Sequence, residues 1–162
     1  MEKLLESNET WYRQHFSKNY KIVRTVRSLL EEQFAGFPEA FCVDASRLLL
    51  SLLPNVSVVC GRFQTSKMER SLLHVWVFDM EAACHIDITS DQFPLAKQKI
   101  VIFKASDTAS MKKYGYSLTP LNEFNELFRS PYRRFTMSKY KVFKKTPLPY
   151  LVRSVKRRFN KK

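Results

Sequence analysis

The sequence predicts an α+β fold, because helical patterns occupy its first third and strand patterns follow in one block. Up to residue 53, apolar side chains recur three and four positions apart, with charged residues between them. From residue 56 to residue 105 the pattern changes to short runs that are rich in β-branched and aromatic residues. Helices followed by a meander of strands favour N-terminal helices packed on a small antiparallel sheet.

Three helices are predicted before the first strand. Residues 3–16 and 19–35 have helical spacing, and the stretch "AGFPEAF" then interrupts it with a glycine and a proline. A third helix begins at Cys42 in "CVDASRLLLSLLP" and ends before Pro54, which cannot continue it. The cysteine therefore stands at the start of a helix.

Four strands and one more helix are predicted after that point. The strand segments are 56–64, 71–80, 83–89 and 98–105. The helix is expected at 119–128, because Thr119 suits an N-cap and Pro120 suits the first turn.

The positive charge is confined to the end of the chain. The protein carries 28 Lys and Arg against 15 Asp and Glu, a net charge of +13. Residues 129–162 contain 13 of the basic residues and no acidic ones, so residues 1–128 are neutral overall. We predict one α+β domain over 1–128 and a basic, aromatic-rich C-terminal extension over 129–162.

The cysteine content and the N-terminal segment indicate in which cellular compartment the protein is expected. Three cysteines without CxxC spacing argue against a disulfide framework and against a zinc ribbon. The first residues, "MEKLLESNETWYRQ", lack the pattern of a signal peptide, and no apolar run approaches the roughly 20 residues of a membrane span. We expect a cytoplasmic location, with delivery by another secretion route left open.

The segment "HVWVFDMEAACHIDITSDQF" (74–93) predicts a hairpin with a histidine on one arm and a carboxylate on the other. With a two-residue turn at Met80 and Glu81, His74 falls directly opposite Asp87. A change of two in the register leaves them diagonal neighbours on the same face. The pattern therefore predicts a hydrogen bond between imidazole and carboxylate.

Cys42 gives this pair a chemical use. The dipole and free N–H groups at a helix start stabilise a thiolate. A thiolate that attacks a carbonyl needs a base, and the base needs a group that fixes its tautomer. Cys42, His74 and Asp87 would be nucleophile, base and orienting group.

The stretches "FCVDASRLLLSLL", "HVWV" and "HIDITSDQF" resemble the papain-like and transglutaminase-like cysteine hydrolase superfamily, in the order Cys–His–Asp. The resemblance covers roughly residues 36–93. It implies a papain-like core and attack on an amide of a peptide, a protein or a glutamine side chain, by hydrolysis, deamidation or acyl transfer. It implies neither a cofactor nor a metal. Gln33, Trp76 and Gln92 are candidates for the oxyanion donor, beside the backbone N–H of Cys42.

Plainer interpretations stay open. Cys42 can be a small buried hydrophobic residue, and His74 can be a strand histidine that meets Asp87 by chance. Asp91 competes with Asp87 as the orienting group. A metal set of Cys60, His74, Cys84 and His85 is disfavoured, because adjacent strand residues point to opposite faces.

The basic extension suggests an acidic partner. The candidate polyanion-binding residues are Arg133, Arg134, Lys144, Lys145, Lys156, Arg157 and Arg158. Aromatic residues among them suit nucleic acid. Leu151, Val155 and Phe159 fall at i, i+4 and i+8, which predicts a further, short basic amphipathic helix that suits an anionic membrane surface or an acidic protein. A solvated tail whose aromatic residues pack on the body is the plainest interpretation. The alternative function is thus a binding module for nucleic acid or a membrane surface, with an inert Cys–His–Asp set.

Overall fold

The computed structural model describes residues 2–39, 41–64, 71–93, 98–118 and 148–160. The side chains of residues 2–6, 110, 113, 148 and 160 are outside this description. The helix predicted at 119–128 also lies outside the described residues.

The α+β class is confirmed. The helices are α1 (Glu2–His15), α2 (Ser17–Gln33), α3 (Cys42–Leu50), α4 (Thr108–Lys113) and α5 (Leu148–Asn160), with a 3-10 turn at Ser90–Gln92. The strands are β1 (Val56–Phe63), β2 (Leu72–Asp79), β3 (Cys84–Asp87), β4 (Val101–Lys104) and β5 (Tyr116–Leu118). The four predicted strands are present, and the prediction missed α4 and β5.

The five strands form one antiparallel sheet in the order β4-β3-β2-β1-β5. Strands β1 and β2 pair along their whole length, from Val56 with Asp79 to Phe63 with Leu72. Strand β3 pairs with only three residues of β2, Val77 to Asp79, so the β2 residues before Val77 have no partner in β3. The end of β2 that carries His74 is therefore flanked by β1 and not by the β3 ladder.

The two-residue turn predicted at Met80 and Glu81 is wrong. Asp79 pairs with Cys84, so residues 80–83 form a four-residue loop. The Asp79 carboxylate accepts the backbone N–H groups of Glu81 and Ala82, both at 3.0 Å, and Ala83 has a φ of 49°. This side-chain cap makes the longer loop stable and shifts the register by two.

Both faces of the sheet are covered. Helices α1 and α3 pack against one face, where Val77, Ile86 and Ile102 lie, and α2 and α5 pack on these helices in the same apolar core. A smaller, mostly aromatic cluster covers the other face and contains Phe63, Trp76, Phe93, Val101, Phe103, Met111 and Tyr116. His74 projects toward this second cluster, because it alternates with Val75 and Val77 along β2.

Helix α5 is packed on the body. Leu151 and Val155 are fully buried in the same core as α2 and α3. At the exposed edge of this contact, the Arg158 guanidinium donates to both carboxylate oxygens of Glu32 at 2.9 and 2.7 Å. The predicted apolar stripe is therefore covered by the protein itself.

None of the helices in the described ranges has the combination of length and apolar character that a membrane span requires.

Candidate active site

The structure brings His74 and Asp87 together. The His74 Nε2 atom lies 2.6 Å from Asp87 Oδ2, and both side chains are buried. Their strands place them diagonally rather than directly opposite, because the pairs of β2 and β3 run through Val77 with Ile86. The predicted hydrogen bond is thus present despite the wrong register.

Three further donors fix the Asp87 carboxylate. Its Oδ1 atom accepts the backbone N–H of Thr89 at 2.8 Å and the Thr89 hydroxyl at 2.9 Å. Its Oδ2 atom accepts the Tyr116 hydroxyl at 2.7 Å. Burial by itself would raise the pKa of Asp87, but the positive charge of His74 and these donors lower it below its ordinary value. Asp87 is therefore a charged acceptor held in one orientation.

The charge of Asp87 determines the state of His74. Burial alone would lower the pKa of His74, but the attraction of Asp87, its hydrogen bond and the neighbouring Cys42 raise that pKa to about 10. The pairing with Asp87 therefore makes the imidazole a stronger base than an ordinary histidine. Because the folded pKa lies above the ordinary value, this pairing stabilises the fold fully below about pH 6.5, as long as Asp87 is ionised, and ceases to do so as the pH rises toward 10.

The thiol of Cys42 completes the series. Cys42 is the first residue of α3, and its side chain is a hydrogen-bond partner of His74. It is only 3% exposed and packs with Val43, Cys60 and Val75. A thiol, an imidazole and a carboxylate therefore form one continuous chain.

The other two cysteines have a different environment. Burial, with the neighbouring Cys42, raises the pKa of Cys60 to about 11, and burial, with the charge of Asp79, raises the pKa of Cys84 to about 11. Both thiols stay protonated at neutral pH.

In the described part of the chain, no group of three or more His, Cys, Asp or Glu side chains is arranged to hold a metal ion.

Of the three predicted oxyanion donors, the structure brings Gln92 to the site with its side-chain amide directed at His74. Its Nε2 atom lies 3.3 Å from His74 Nδ1 and 3.2 Å from Thr89 Oγ1. Trp76 lies beside the His74 ring, but its indole N–H donates to His85 Nδ1 at 3.0 Å. Gln33 is exposed at the end of α2. Of the three candidates, Gln92 is thus the one whose side-chain amide contacts His74.

His85 supports the position of Trp76. Burial lowers the pKa of His85 to about 4, so its ring is neutral at physiological pH and can accept the indole N–H. The Trp76 ring also fills the space above Gly61, where a Cβ atom would lie 2.3 Å from the ring and 2.1 Å from the carbonyl oxygen of Ser117. Only glycine fits at this position, which is the cross-strand partner of His74.

Asp91, the competing candidate for the orienting group, has another partner. Both of its carboxylate oxygens accept the Arg27 guanidinium at 2.6 Å. Arg27 is buried in α2 and also donates to Glu31 and to the carbonyl oxygen of Ile88 at 2.6 Å. Asp91 therefore fastens the turn Ser90–Gln92 to α2 instead of orienting His74, and this holds Gln92 in place.

Thr89 and Tyr116 are the site residues that sequence reasoning missed. Thr89 follows Asp87 by two positions in "HIDIT", a spacing at which an aspartate side chain commonly accepts a backbone N–H. Tyr116 had no such signal, because the short strand β5 was not predicted.

Replacement of Tyr116 by Phe tests its effect on the site. We expect the pKa of His74, measured by NMR titration, to rise further, because the negative charge of Asp87 Oδ2 would no longer be shared with the Tyr116 hydroxyl. The ring contacts of Tyr116 with Phe63 and Trp76 would remain.

Tyr12→Phe is the matched control for that variant. It removes a hydroxyl that donates to another buried carboxylate, Asp79, at 2.6 Å. We expect no change in the pKa of His74 there. A His74 pKa that is unchanged in Tyr116→Phe would show that the hydroxyl does not act on the pair.

The fold and the site define an α+β domain that carries a buried thiol, imidazole and carboxylate in hydrogen-bonded series. The chain matches no protein-family model, no curated protein and no solved structure.

Proposed function

We propose that the protein is a cysteine hydrolase or acyltransferase of the transglutaminase-like and papain-like type, with Cys42 as nucleophile. The observation that carries the proposal is the series of Cys42, His74 and Asp87, in which His74 Nε2 lies 2.6 Å from Asp87 Oδ2 and the thiol is hydrogen-bonded to the same imidazole. The helix-start position of the thiol and the antiparallel sheet under the histidine agree with a papain-like core.

The geometry supports a two-step reaction. His74 takes the proton of the Cys42 thiol, and the resulting thiolate adds to the carbonyl carbon of an amide or ester. The resulting oxyanion accepts the backbone N–H of Cys42 and the side-chain amide of Gln92. His74 then gives its proton to the leaving amine or alkoxide as the carbon–nitrogen or carbon–oxygen bond breaks, and an acyl-thioester remains on Cys42.

The second step decides the product. His74 takes a proton from water or from an amine, and that nucleophile displaces the Cys42 thiolate from the acyl group. Water gives a carboxylic acid, by hydrolysis of a peptide bond or deamidation of a glutamine side chain. An amine gives a new amide. The proposed substrate is therefore an amide of a peptide or protein, with the acceptor left open between water and an amine.

The construction around Asp87 favours catalysis over packing. A buried ion pair contributes less to stability than well-packed apolar residues of similar volume often do. Here His74 and Asp87 are both buried, and Thr89 and Tyr116 supply three more hydrogen bonds to the carboxylate. Perturbed titratable groups held in this way are typical of functional sites.

Acylation by p-nitrophenyl acetate tests the proposal. The reagent is a small activated ester, chosen because Cys42 is only 3% exposed. Attack by Cys42 releases p-nitrophenolate while one acetyl group becomes attached to the sulfur. We expect a burst of p-nitrophenolate and, by peptide mass mapping, acetyl on Cys42. Cys42→Ala should abolish both signals, and Cys60→Ala, the control, should retain them.

Two outcomes would contradict this function. One is a Cys42→Ala protein that is folded and gives the same burst as the parent. The other is acetylation of Cys60 and Cys84 to the same extent as Cys42, which would mean that the site confers no special reactivity.

A further inference from the structure

We propose that the exposed face of α5 binds single-stranded nucleic acid. The surface, here called the α5 face, consists of Tyr150, Arg153, Lys156 and Arg157. At 3.6 residues per turn these positions share one side of the helix, opposite the buried Leu151 and Val155. The inference does not depend on the reactivity of Cys42.

The charges of the α5 face are available to a partner. Arg153, Lys156 and Arg157 are exposed, and no carboxylate within the described ranges forms an ion pair with them. Helix α5 contains no acidic residue. Arg158, one of the predicted polyanion-binding residues, is instead paired with Glu32. Lys21 of α2 adds a positive charge at the C-terminal end, where its Nζ lies 4.9 Å from the Phe159 ring centre.

The burial of the apolar stripe argues against a membrane. An amphipathic helix binds a bilayer by inserting its apolar face, but Leu151 and Val155 are fully buried in the protein core. What α5 presents outward is charge and one aromatic ring, that of Tyr150, which is 53% exposed.

This combination suits unpaired nucleotides. Arginine and lysine neutralise phosphates of the backbone, and an exposed aromatic ring stacks on a base of any identity. Tyr150, Arg153 and Arg157 lie at positions i, i+3 and i+7, so a base on the ring would have phosphates within reach of both guanidinium groups. The segment 129–147 that precedes α5 holds seven Lys and Arg and no acid, including Arg133, Arg134, Lys144 and Lys145, which lie outside the described residues.

Fluorescence anisotropy with a labelled oligouridylate of about 20 nucleotides tests the proposal on the full chain. We expect binding that weakens steeply between about 50 and 200 mM salt. The double variant Arg153→Gln/Arg157→Gln should bind about tenfold or more weakly at the lower salt. Its salt slope should fall by about 1.4, or about 0.7 for each phosphate that is no longer neutralised. Tyr150→Ala should weaken binding about fivefold or more, because the base loses its stacking partner.

The control is Arg13→Gln/Lys112→Gln, which removes two exposed charges from α1 and α4. Its affinity should fall clearly less than that of the α5 variant, and circular dichroism should show that both proteins are folded. Cys42→Ala should bind as the parent does, so this test is independent of the proposed enzyme activity.

Three results would overturn the inference. The first is no binding of the oligonucleotide at low salt. The second is an equal decrease of affinity in the α5 variant and the control, with no effect of Tyr150→Ala. The third is binding to vesicles of phosphatidylserine and phosphatidylcholine, sensitive to the α5 variant, without binding to the oligonucleotide.

Discussion

Replacement of His74 by Gln is expected to slow the acylation of Cys42 by p-nitrophenyl acetate about 10²- to 10⁴-fold at neutral pH. The imidazole is the hydrogen-bond partner of the thiol and the group that accepts its proton, and Asp87 holds that imidazole in place. A glutamine side chain can occupy the space but cannot take up a proton. The measurement is the rate of acetyl transfer to Cys42, followed by mass spectrometry.

His85→Gln is the matched control for that result. His85 is also a buried histidine of this sheet, but it serves as a neutral acceptor for the indole N–H of Trp76 and not as a partner of the thiol. We expect a much smaller change in rate. Equal effects of the two substitutions would mean that the rate reports on the packing of the sheet and not on a base at residue 74.

Replacement of Arg27 by Ala is expected to lower the free energy of unfolding by about 3 kcal/mol, the low end of the range for a broken buried ion pair, because Asp91 keeps some access to water. The substitution removes both 2.6 Å hydrogen bonds to Asp91 and the bonds to Glu31 and the Ile88 carbonyl. It also releases the turn Ser90–Gln92 from α2. Urea unfolding measures the decrease in stability.

Arg158→Ala provides the comparison. It breaks a bidentate pair with Glu32 that lies at the surface, where water and salt screen the attraction. We expect only a small shift in its urea midpoint. Decreases of equal size in the two variants would refute the idea that the buried network of Arg27 anchors the turn that carries Gln92.

The contact between His74 and Asp87 could be predicted because it does not require the exact register of the two strands. Strand alternation places both residues on one face, and a register error of two leaves them within reach of each other. The register itself could not be predicted, since the loop length is set by the Asp79 carboxylate, which accepts two backbone N–H groups. The alternation of apolar and polar residues does not reveal such a cap, because the cap depends on the folded geometry of the loop.

Other parts of the site depend on contacts between distant segments. The sequence could not choose among the three candidate oxyanion donors, Gln33, Trp76 and Gln92, because each carries an N–H group. The ion pair between Arg27 and Asp91, which are 64 positions apart, holds the turn that places Gln92 near His74. Strand β5 has only three residues, too few for a clear pattern, so Tyr116 was missed. The apolar stripe of α5 predicted a helix correctly but suited a membrane, a partner or the protein's own core equally well.

The most direct test of the central claim is the rate of alkylation of each cysteine by iodoacetamide between about pH 4 and pH 10, resolved by peptide mass mapping. At about pH 6 we expect Cys42 to react at least about tenfold faster than Cys60 and Cys84, whose pKa values burial raises to about 11. His74→Gln should remove this difference. If Cys42 in the parent protein reacts as slowly as the other two cysteines over the whole range, the thiol is not activated and the account of this site as a catalytic centre is wrong.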